Sequence, residues 1–339
     1  LSQAGGADDQ QERSAVAYDS GGVRRVEKPR VEFIEHGAVS WKGFHREDGR
    51  GEMPELPDIL HVVSRLRARL AGLSVATERV CAPSALRFTV PGNLSLLLGR
   101  RVEDVTRHGH YIMLRFEGLD LVVNAATGGR FRFADPTDKD EAALIFALGF
   151  HVIDARGHEQ ATVQELRFLG EKKASKTYLT AASDRQAVPG MDAVGVDILS
   201  AQFTPERLVS LLKHRRDPVR VMLVDKRALD SLGNVFADAV MFDAGIHPKT
   251  SCHELTHEQA LRLHDAIART VKNAVDEAAQ CDGDESLDVK ARGVLRARMK
   301  STCPRCGSGV RTIAIRAMEA RYCPHCQPAG KSRPIVGAP

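Results

Sequence analysis

Cys303-Pro304-Arg305-Cys306 and Cys323-Pro324-His325-Cys326 constrain this chain more than any other feature. Each Cys-x-x-Cys sets two thiolates on one edge of a tetrahedron through a tight turn. The 16 residues between the pairs suffice for a β-hairpin, within Ser308 to Tyr322, that brings the two edges together. Four thiolates close a structural Zn²⁺ site with no open position for catalysis, so one metal ion folds the hairpin rather than doing chemistry. His325 is an alternative ligand, but four cysteines suffice; two unrelated redox pairs would be the other reading. Seven cysteines in 339 residues are too few for a disulfide scaffold, and their pairing points to a reducing compartment. Cys81, Cys252 and Cys281 stand alone, and a buried apolar place is the default for each.

The surroundings of these pairs are basic. Residues 289–339 hold 11 Lys/Arg against one acid, Glu319. That is a footprint for a polyanion, nucleic acid first, with a solvated tail as the plainer alternative. The formal charge of +4 conceals the asymmetry, because residues 1–52 carry 8 basic and 10 acidic side chains. With 12 Phe, 4 Tyr and 1 Trp, an aromatic-lined carbohydrate or single-strand-stacking surface is not expected. No run of about 18 uncharged apolar residues occurs, which excludes a membrane-spanning helix. The longest apolar stretch, Ala142 to Ile153, reads as a buried strand.

Periodicity divides the chain. Residues 1–52, with the only Trp (Trp41), have no sustained pattern and read as a disordered or misassigned-start extension. From Met53 the pattern is that of a folded protein. Pro57 opens a helix with an apolar stripe at Ile59, Val62, Val63, Leu66 and Leu70, stopping at Gly72. β segments are predicted at Arg87–Val90, Tyr111–Phe116, Leu119–Val123, Arg130–Phe133, Ala143–Val152 and Thr177–Thr180. After Val188 the period becomes 3.6, with helix starts at Thr204-Pro205, Asp217-Pro218, Asn234 as an N-cap, and a Thr256/Gln259 capping box. The expected organisation is an extension (1–52), a β-rich domain (53–187), a linker (188–200), a helical domain (201–288), a four-cysteine element (289–328) and a tail (329–339). This is an α+β chain in two domains.

Three separated motifs then converge. Met53-Pro54-Glu55-Leu56-Pro57-Asp58-Ile59 resembles the N-terminal signature of the formamidopyrimidine-DNA glycosylase/endonuclease VIII family. Leu232-Gly233-Asn234-Val235-Phe236-Ala237-Asp238, followed by Ala244-Gly245-Ile246-His247-Pro248, is similar to that family's helix–two-turns–helix motif. The hairpin ending Tyr322-Cys323-Pro324-His325-Cys326-Gln327 resembles its zinc finger. The resemblance spans about residues 53–328, and the chain reads as a divergent member. It implies an N-terminal helix with a β-sandwich domain, then a helical domain carrying helix–two-turns–helix, then the zinc β-hairpin. It further implies excision of oxidised bases from double-stranded DNA, cleavage at the resulting abasic site, a monomer, no membrane, and a cytoplasmic, nucleoid-associated place.

Carried over residue by residue, Pro54 is the amine that attacks the sugar C1′ to form an iminium, and Glu55 the general acid/base. Asn234 is expected to serve as N-cap and as a donor to phosphate. Arg220 stands where the family usually has a phosphate-binding Lys. Arg305, Arg311, Arg316 and Arg321 lie within or beside the hairpin as further phosphate contacts, and Cys303, Cys306, Cys323 and Cys326 hold Zn²⁺.

The departures bear on activity. Pro54 can form an iminium only as a free amine, which favours Met53 as a removed initiator. His110, in Arg107-His108-Gly109-His110-Tyr111, stands where the family carries a Lys, and is mostly neutral at pH 7 unless a phosphate raises its pKa. Lys172, Lys173 and Lys176 form a basic loop able to supply charge, or are simply solvated. Thr127 lies where relatives place a void-filling Met, and Met318 replaces a zinc-finger Arg. Asp58 for the commoner Glu is a mild change. These features leave three readings: a bifunctional glycosylase/lyase, a catalytically impaired DNA-binding relative, and a zinc-ribbon protein binding RNA or protein.

Overall fold

The computed structural model describes residues 54–126, 129–153, 159–170, 174–230, 232–279, 287–288, 301–316 and 318–330. The 1–52 extension, Met53, Thr127, Lys172, Lys173, Cys281, residues 289–300 and most of the expected tail lie outside them.

Glu55, in extended backbone, is the N-cap of helix α1 (Leu56–Leu70), with Pro57 in the first turn and Asp58 accepting the Glu55 N–H at 2.8 Å. The apolar stripe Ile59, Val62, Val63, Leu66 and Leu70 is buried, and the chain leaves through Gly72 at φ +88°. Strands β1 (Val75–Val80), β2 (Leu86–Phe88), β3 (Val102–His108), β4 (Tyr111–Phe116), β5 (Leu119–Asn124), β6 (Arg130–Ala134), β7 (Leu144–Ile153), β8 (Glu159–Leu169) and β9 (Lys176–Ala181) follow. The short β10 (Leu287–Asp288) returns from far along the chain. Two five-stranded sheets result, ordered β1-β7-β8-β6-β10 and β2-β9-β5-β4-β3. Phe146, Leu148 and Phe168 of the first meet Ile112, Leu114 and Leu121 of the second in one core that also takes the α1 stripe, a β-sandwich.

β1, β3 and β8 are strands that the sequence pattern does not predict, because charged residues interrupt their apolar alternation. In β8 the charges of Glu165 and Arg167 are buried: Arg167, 1% exposed, donates to Glu165 at 2.8 Å and to the carbonyls of Asp135, Asp138 and Lys139. Residues so paired are satisfied inside a sheet, which pattern reading treats as polar surface.

The helical part contains α2 (Pro205–Lys213), α3 (Val219–Leu223), α4 (Asn234–Ala244) and α5 (His257–Ala279). Thr204 caps α2 through Arg207 N–H at 3.2 Å. Thr256 and Gln259 exchange bonds of 2.7 and 3.2 Å at the start of α5. α4 stops at Gly245, φ +67°, where Ile246 N–H returns to the Met241 carbonyl, and two turns lead to α5. The stretch expected as a linker is anchored: Val188 and Met191 pack on Tyr111, Met113 and Val122, and Tyr111 Oη donates to the Pro189 carbonyl at 2.7 Å.

Leu56 belongs to the helical core with Leu232, Phe236 and Val240, whereas Ile59 and the rest of the α1 stripe belong to the sandwich. The first turn of α1 is therefore pinned where the two cores meet. Among the described residues no helix is long and apolar enough to cross a membrane.

Candidate active site and metal centre

Glu55 is 6% exposed, and its carboxylate reaches 178 to 181 residues along the chain. Oε2 accepts the N–H of Gly233 at 3.2 Å and of Phe236 at 3.1 Å, and Oε1 accepts the N–H of Val235 at 3.1 Å. These are the unpaired donors at the start of α4, where the helix dipole also favours an anion. The expectation that Asn234 caps this helix is corrected: Gly233 is the N-cap residue and Asn234 the first helical one. A carboxylate from the sandwich domain takes the place of a local cap, which leaves the Asn234 side chain for other work. Its Oδ1 is buried with no hydrogen-bond partner among the described residues. A β-carbon on Gly233 would overlap the Glu55 carboxyl, so glycine is required there for space.

Pro54, beside Glu55, is buried at the same junction. The turn between β3 and β4 packs on the segment that leads to α4. Arg107 pairs with Asp230, and with Asp197 at 2.5 Å, while His108 Nε2 lies 2.9 Å from the Met191 carbonyl. His110 packs on Tyr111 and lies 3.3 Å from Asn124 Nδ2. Burial first, then the charge of Lys226, push the His110 imidazole down to about 4, so it is neutral at pH 7 in the free protein. Asn124 Oδ1 also accepts the N–H of Ala126, which sits at φ +46° next to the position of Thr127. Arg107, Asp197, Asp230 and Lys226 are not among the site residues that the sequence predicts. Only their spatial convergence distinguishes them, since each reads locally as a turn or surface charge.

Arg220, expected as a phosphate contact, is instead buried and held by Asp238 and the hairpin, with only Nη1 lacking a hydrogen-bond partner among the described residues. Arg220 is 0% exposed; Nε donates to Asp238 at 2.6 Å and Nη2 to the Glu319 carbonyl at 2.8 Å. Asp238, one turn inside α4, neutralises the charge, and the residue braces the terminal hairpin against the helices. Arg305 is likewise spent on α4: it stacks 4.4 Å above Phe242 and bonds Asp243 at 2.9 Å. Arg316 is exposed at the turn of the hairpin formed by β11 (Arg311–Ile315) and β12 (Met318–Tyr322), at φ +47°. Arg321 is half-buried, with its backbone N–H on Asp238 at 3.0 Å. Met318 and Lys176 are half-buried, while His325 is exposed and apart from the ligand set.

The four predicted cysteines come together. The Sγ atoms of Cys303, Cys306, Cys323 and Cys326 all lie within 4.8 Å of one another, with Cys303–Cys326 at 3.8 Å and Cys306–Cys323 at 3.6 Å. Tetrahedral zinc–thiolate bonds of about 2.3 Å require sulfur–sulfur edges near 3.8 Å, so the donor set and spacing fit the ion. Gln327 ties the cluster to the helical domain, accepting Cys323 N–H at 3.0 Å and donating to the Ile246 carbonyl at 2.9 Å. The lone cysteines divide: Cys252 is buried as expected, but Cys81 is exposed, at the end of an edge strand where burial is incomplete.

Residues 53–172 match the model of the formamidopyrimidine-DNA glycosylase N-terminal domain, and residues 194–284 that of the formamidopyrimidine-DNA glycosylase H2TH domain. Together they take in well over half of the chain. The chain belongs to the formamidopyrimidine-DNA glycosylase family. The glycosylase of Chloroflexus aurantiacus is 28% identical over 284 residues, covering 81% of this chain and 98% of its own length. That of Brevibacillus brevis is 27% identical over 288 residues, covering 81% and 99%. Among solved structures, Lactococcus lactis formamidopyrimidine-DNA glycosylase, non-covalently bound to DNA containing an abasic site, shares the fold. Its TM-score is 0.67 at 20% identity, over 81% of this chain and 99% of that one. A second complex of the same enzyme with abasic-site DNA gives 0.69 at 19% identity, again over 81% and 99%. In this formamidopyrimidine-DNA glycosylase family member, the Pro54-Glu55 start and the α4 start meet at one point.

Proposed function

We propose that this chain excises damaged bases from double-stranded DNA and cleaves the abasic strand, with Pro54 as nucleophile and Glu55 as general acid/base. The observation that carries the reading is the tie between Glu55 and the backbone N–H groups opening α4. It fixes the carboxylate beside Pro54 without using a flexible partner, as acid–base chemistry on a held sugar requires.

The reaction needs the Pro54 nitrogen as a free secondary amine, hence a chain beginning at Pro54. Its lone pair attacks C1′ and the glycosidic bond breaks, the departing base keeping the bonding pair and taking a proton from solvent, while the Glu55 carboxylate accepts the proton that the Pro54 ammonium sheds. Opening of the sugar ring, with Glu55 giving a proton to the ring oxygen, leaves an iminium. Loss of a C2′ proton then expels the 3′ phosphate, and water releases the sugar fragment from the amine. Asn234, the exposed Arg316 and Arg321 would hold phosphates. The four thiolates of Cys303, Cys306, Cys323 and Cys326 would hold one Zn²⁺, which supplies folding free energy to the hairpin.

A second reading, a DNA-binding relative with impaired catalysis, is favoured by one observation: His110 replaces a permanent cation and is neutral at pH 7. Borohydride trapping separates the two. Protein beginning at Pro54 should form a covalent adduct with abasic-site DNA, and Pro54→Gly, which keeps only a primary amine without the proline ring, should form markedly less. No adduct with the parent, or one that survives Pro54→Gly unchanged, sinks the enzymatic reading.

A further inference from the structure

We propose that Lys226 supplies the phosphate-binding cation of this site, a role for which the turn between β3 and β4 offers only His110. The inference rests on the glycosylase reading above, and it starts from where the backbone puts Lys226. The Lys226 carbonyl accepts the N–H of Gly195 at 2.7 Å, and Gly195 presses so closely on the backbone of Arg227 and Ala228 that a β-carbon would collide with it. Leu229 N–H closes the same turn on the Asp225 carbonyl at 3.0 Å. Lys226 is thus held on a braced turn rather than a loose loop.

That turn is clamped from both sides of the candidate site. Four residues on, Asp230 is gripped by Arg107, whose Nη1 also donates to the Gly109 carbonyl at 3.3 Å, one residue before His110. A β-carbon at Gly109 would stand 3.2 Å from Asp230 Oδ1, so the turn carrying His110 lies directly on the Asp230 segment. Three residues further, the Gly233 N–H holds Glu55. The Lys226 turn is therefore tied to the His110 turn through Asp230, and leads within a few residues to the backbone that holds Glu55.

The electrostatics agree with this placement. Burial lowers the Lys226 ammonium below the usual lysine range, while Asp230 and Glu55 act to keep it charged, and its charge reaches His110. Its neighbour Arg227 is exposed, as a plain surface cation would be. A structural counter-ion role is the alternative. Asp230 also has Arg107, however, and Glu55 has the α4 N–H groups, so neither carboxylate would be left uncompensated if the ammonium turned to another anion. In partly desolvated surroundings such an ammonium acts strongly on an incoming phosphate.

Equilibrium binding of the full chain to duplex DNA, across a salt series, tests this without requiring a free Pro54. One duplex carries a tetrahydrofuran abasic analogue and one is unmodified. Lys226→Gln should weaken binding to the tetrahydrofuran duplex about tenfold. It should also reduce the slope of log K against log[salt] by about 0.9, the loss of one phosphate contact. Lys226→Arg should keep both values, and His110→Lys added to Lys226→Gln should recover the slope. Unchanged affinity and slope in Lys226→Gln, or weaker binding at unchanged slope, overturns the proposal. Lys226→Met gives a second reading if Lys226→Gln folds poorly. Failure of the parent to prefer the tetrahydrofuran duplex would instead count against the glycosylase reading, and the slope change would still report the contact.

Discussion

The carboxyl group of Glu55 occupies the space where Gly233 would carry a side chain, although 178 residues separate the two in the chain. Gly233 has φ −114° and ψ −171°, a backbone any residue adopts, so its constraint is steric and comes wholly from Glu55. Gly233→Ala must push the carboxyl off the start of α4. The expected cost is about 1–3 kcal/mol of stability, with base release slowed by about 100-fold, the effect of an ångström-scale misplacement. Gly309→Ala, where the added carbon meets nothing within 4 Å, is the control. Thermal unfolding and single-turnover base release measure both, and a Gly233→Ala protein as active as the Gly309→Ala one would contradict the assignment.

Glu55→Gln should lose base excision and also lower stability. An amide keeps one acceptor oxygen but turns its NH2 toward at least one of the N–H groups of Gly233, Val235 and Phe236, so the cap of α4 is weakened, an effect of about 0.5–2 kcal/mol. Denaturant midpoints and product formation on lesion-containing duplex check the two losses together. Loss of activity at unchanged stability would mean the carboxylate is not the cap described above.

His110 gives a pH dependence of defined sign. Its folded value of about 4 lies below the ordinary histidine value of 6.5, so between these pH values the unfolded chain binds more protons. The His110 contribution to stability is full above about pH 6.5 and is lost as pH falls toward 4. His110→Gln should show a shallower decline in denaturant midpoint over that window than the parent. Parallel declines would place the imidazole in a more solvated setting than a buried turn beside Lys226.

Metal analysis should return one zinc per chain, and Cys306→Ser should reduce that content. Structural zinc contributes on the order of 10–16 kcal/mol in isolated fingers, so chelation should unfold the hairpin. Because Gln327 and Arg305 dock it on the helical domain, DNA affinity should fall by about tenfold or more, while the sandwich, which shares no residue with the cluster, keeps its secondary structure. Circular dichroism and DNA binding before and after zinc restoration follow this.

Arg220 and Arg316 should part company. Arg220→Met removes the partner of a buried ion pair and should cost about 3–5 kcal/mol. Arg316→Ala, at an exposed turn, should leave stability within about 0.5 kcal/mol and reduce the salt slope of DNA binding by about 0.9. Unfolding midpoints and salt-dependent binding decide; a stable Arg220→Met protein with a reduced slope would reinstate Arg220 as a phosphate contact.

Local signals are legible where their physics is local. The four-cysteine spacing, the Thr204 and Thr256/Gln259 caps and the α1 stripe each depend on residues within a turn or a hairpin, and each stands as expected. Strand β8 is hidden from such reading because Arg167 and Glu165 satisfy each other inside the sheet, a pairing that one-dimensional polarity cannot express.

The motifs of the chain thus determined by themselves its family, its sandwich-then-helices order and the convergence of its four cysteines. Only the tertiary structure decided that Glu55, not Asn234, caps α4, that Arg220 is a buried brace, and that the charge of Lys226 reaches His110. A helix start exposes N–H groups that any carboxylate can reach, and an arginine's charge is free or spent according to what packs beside it. Those partners come from distant parts of the chain, so their identity is fixed by the meeting of two cores across the first turn of α1.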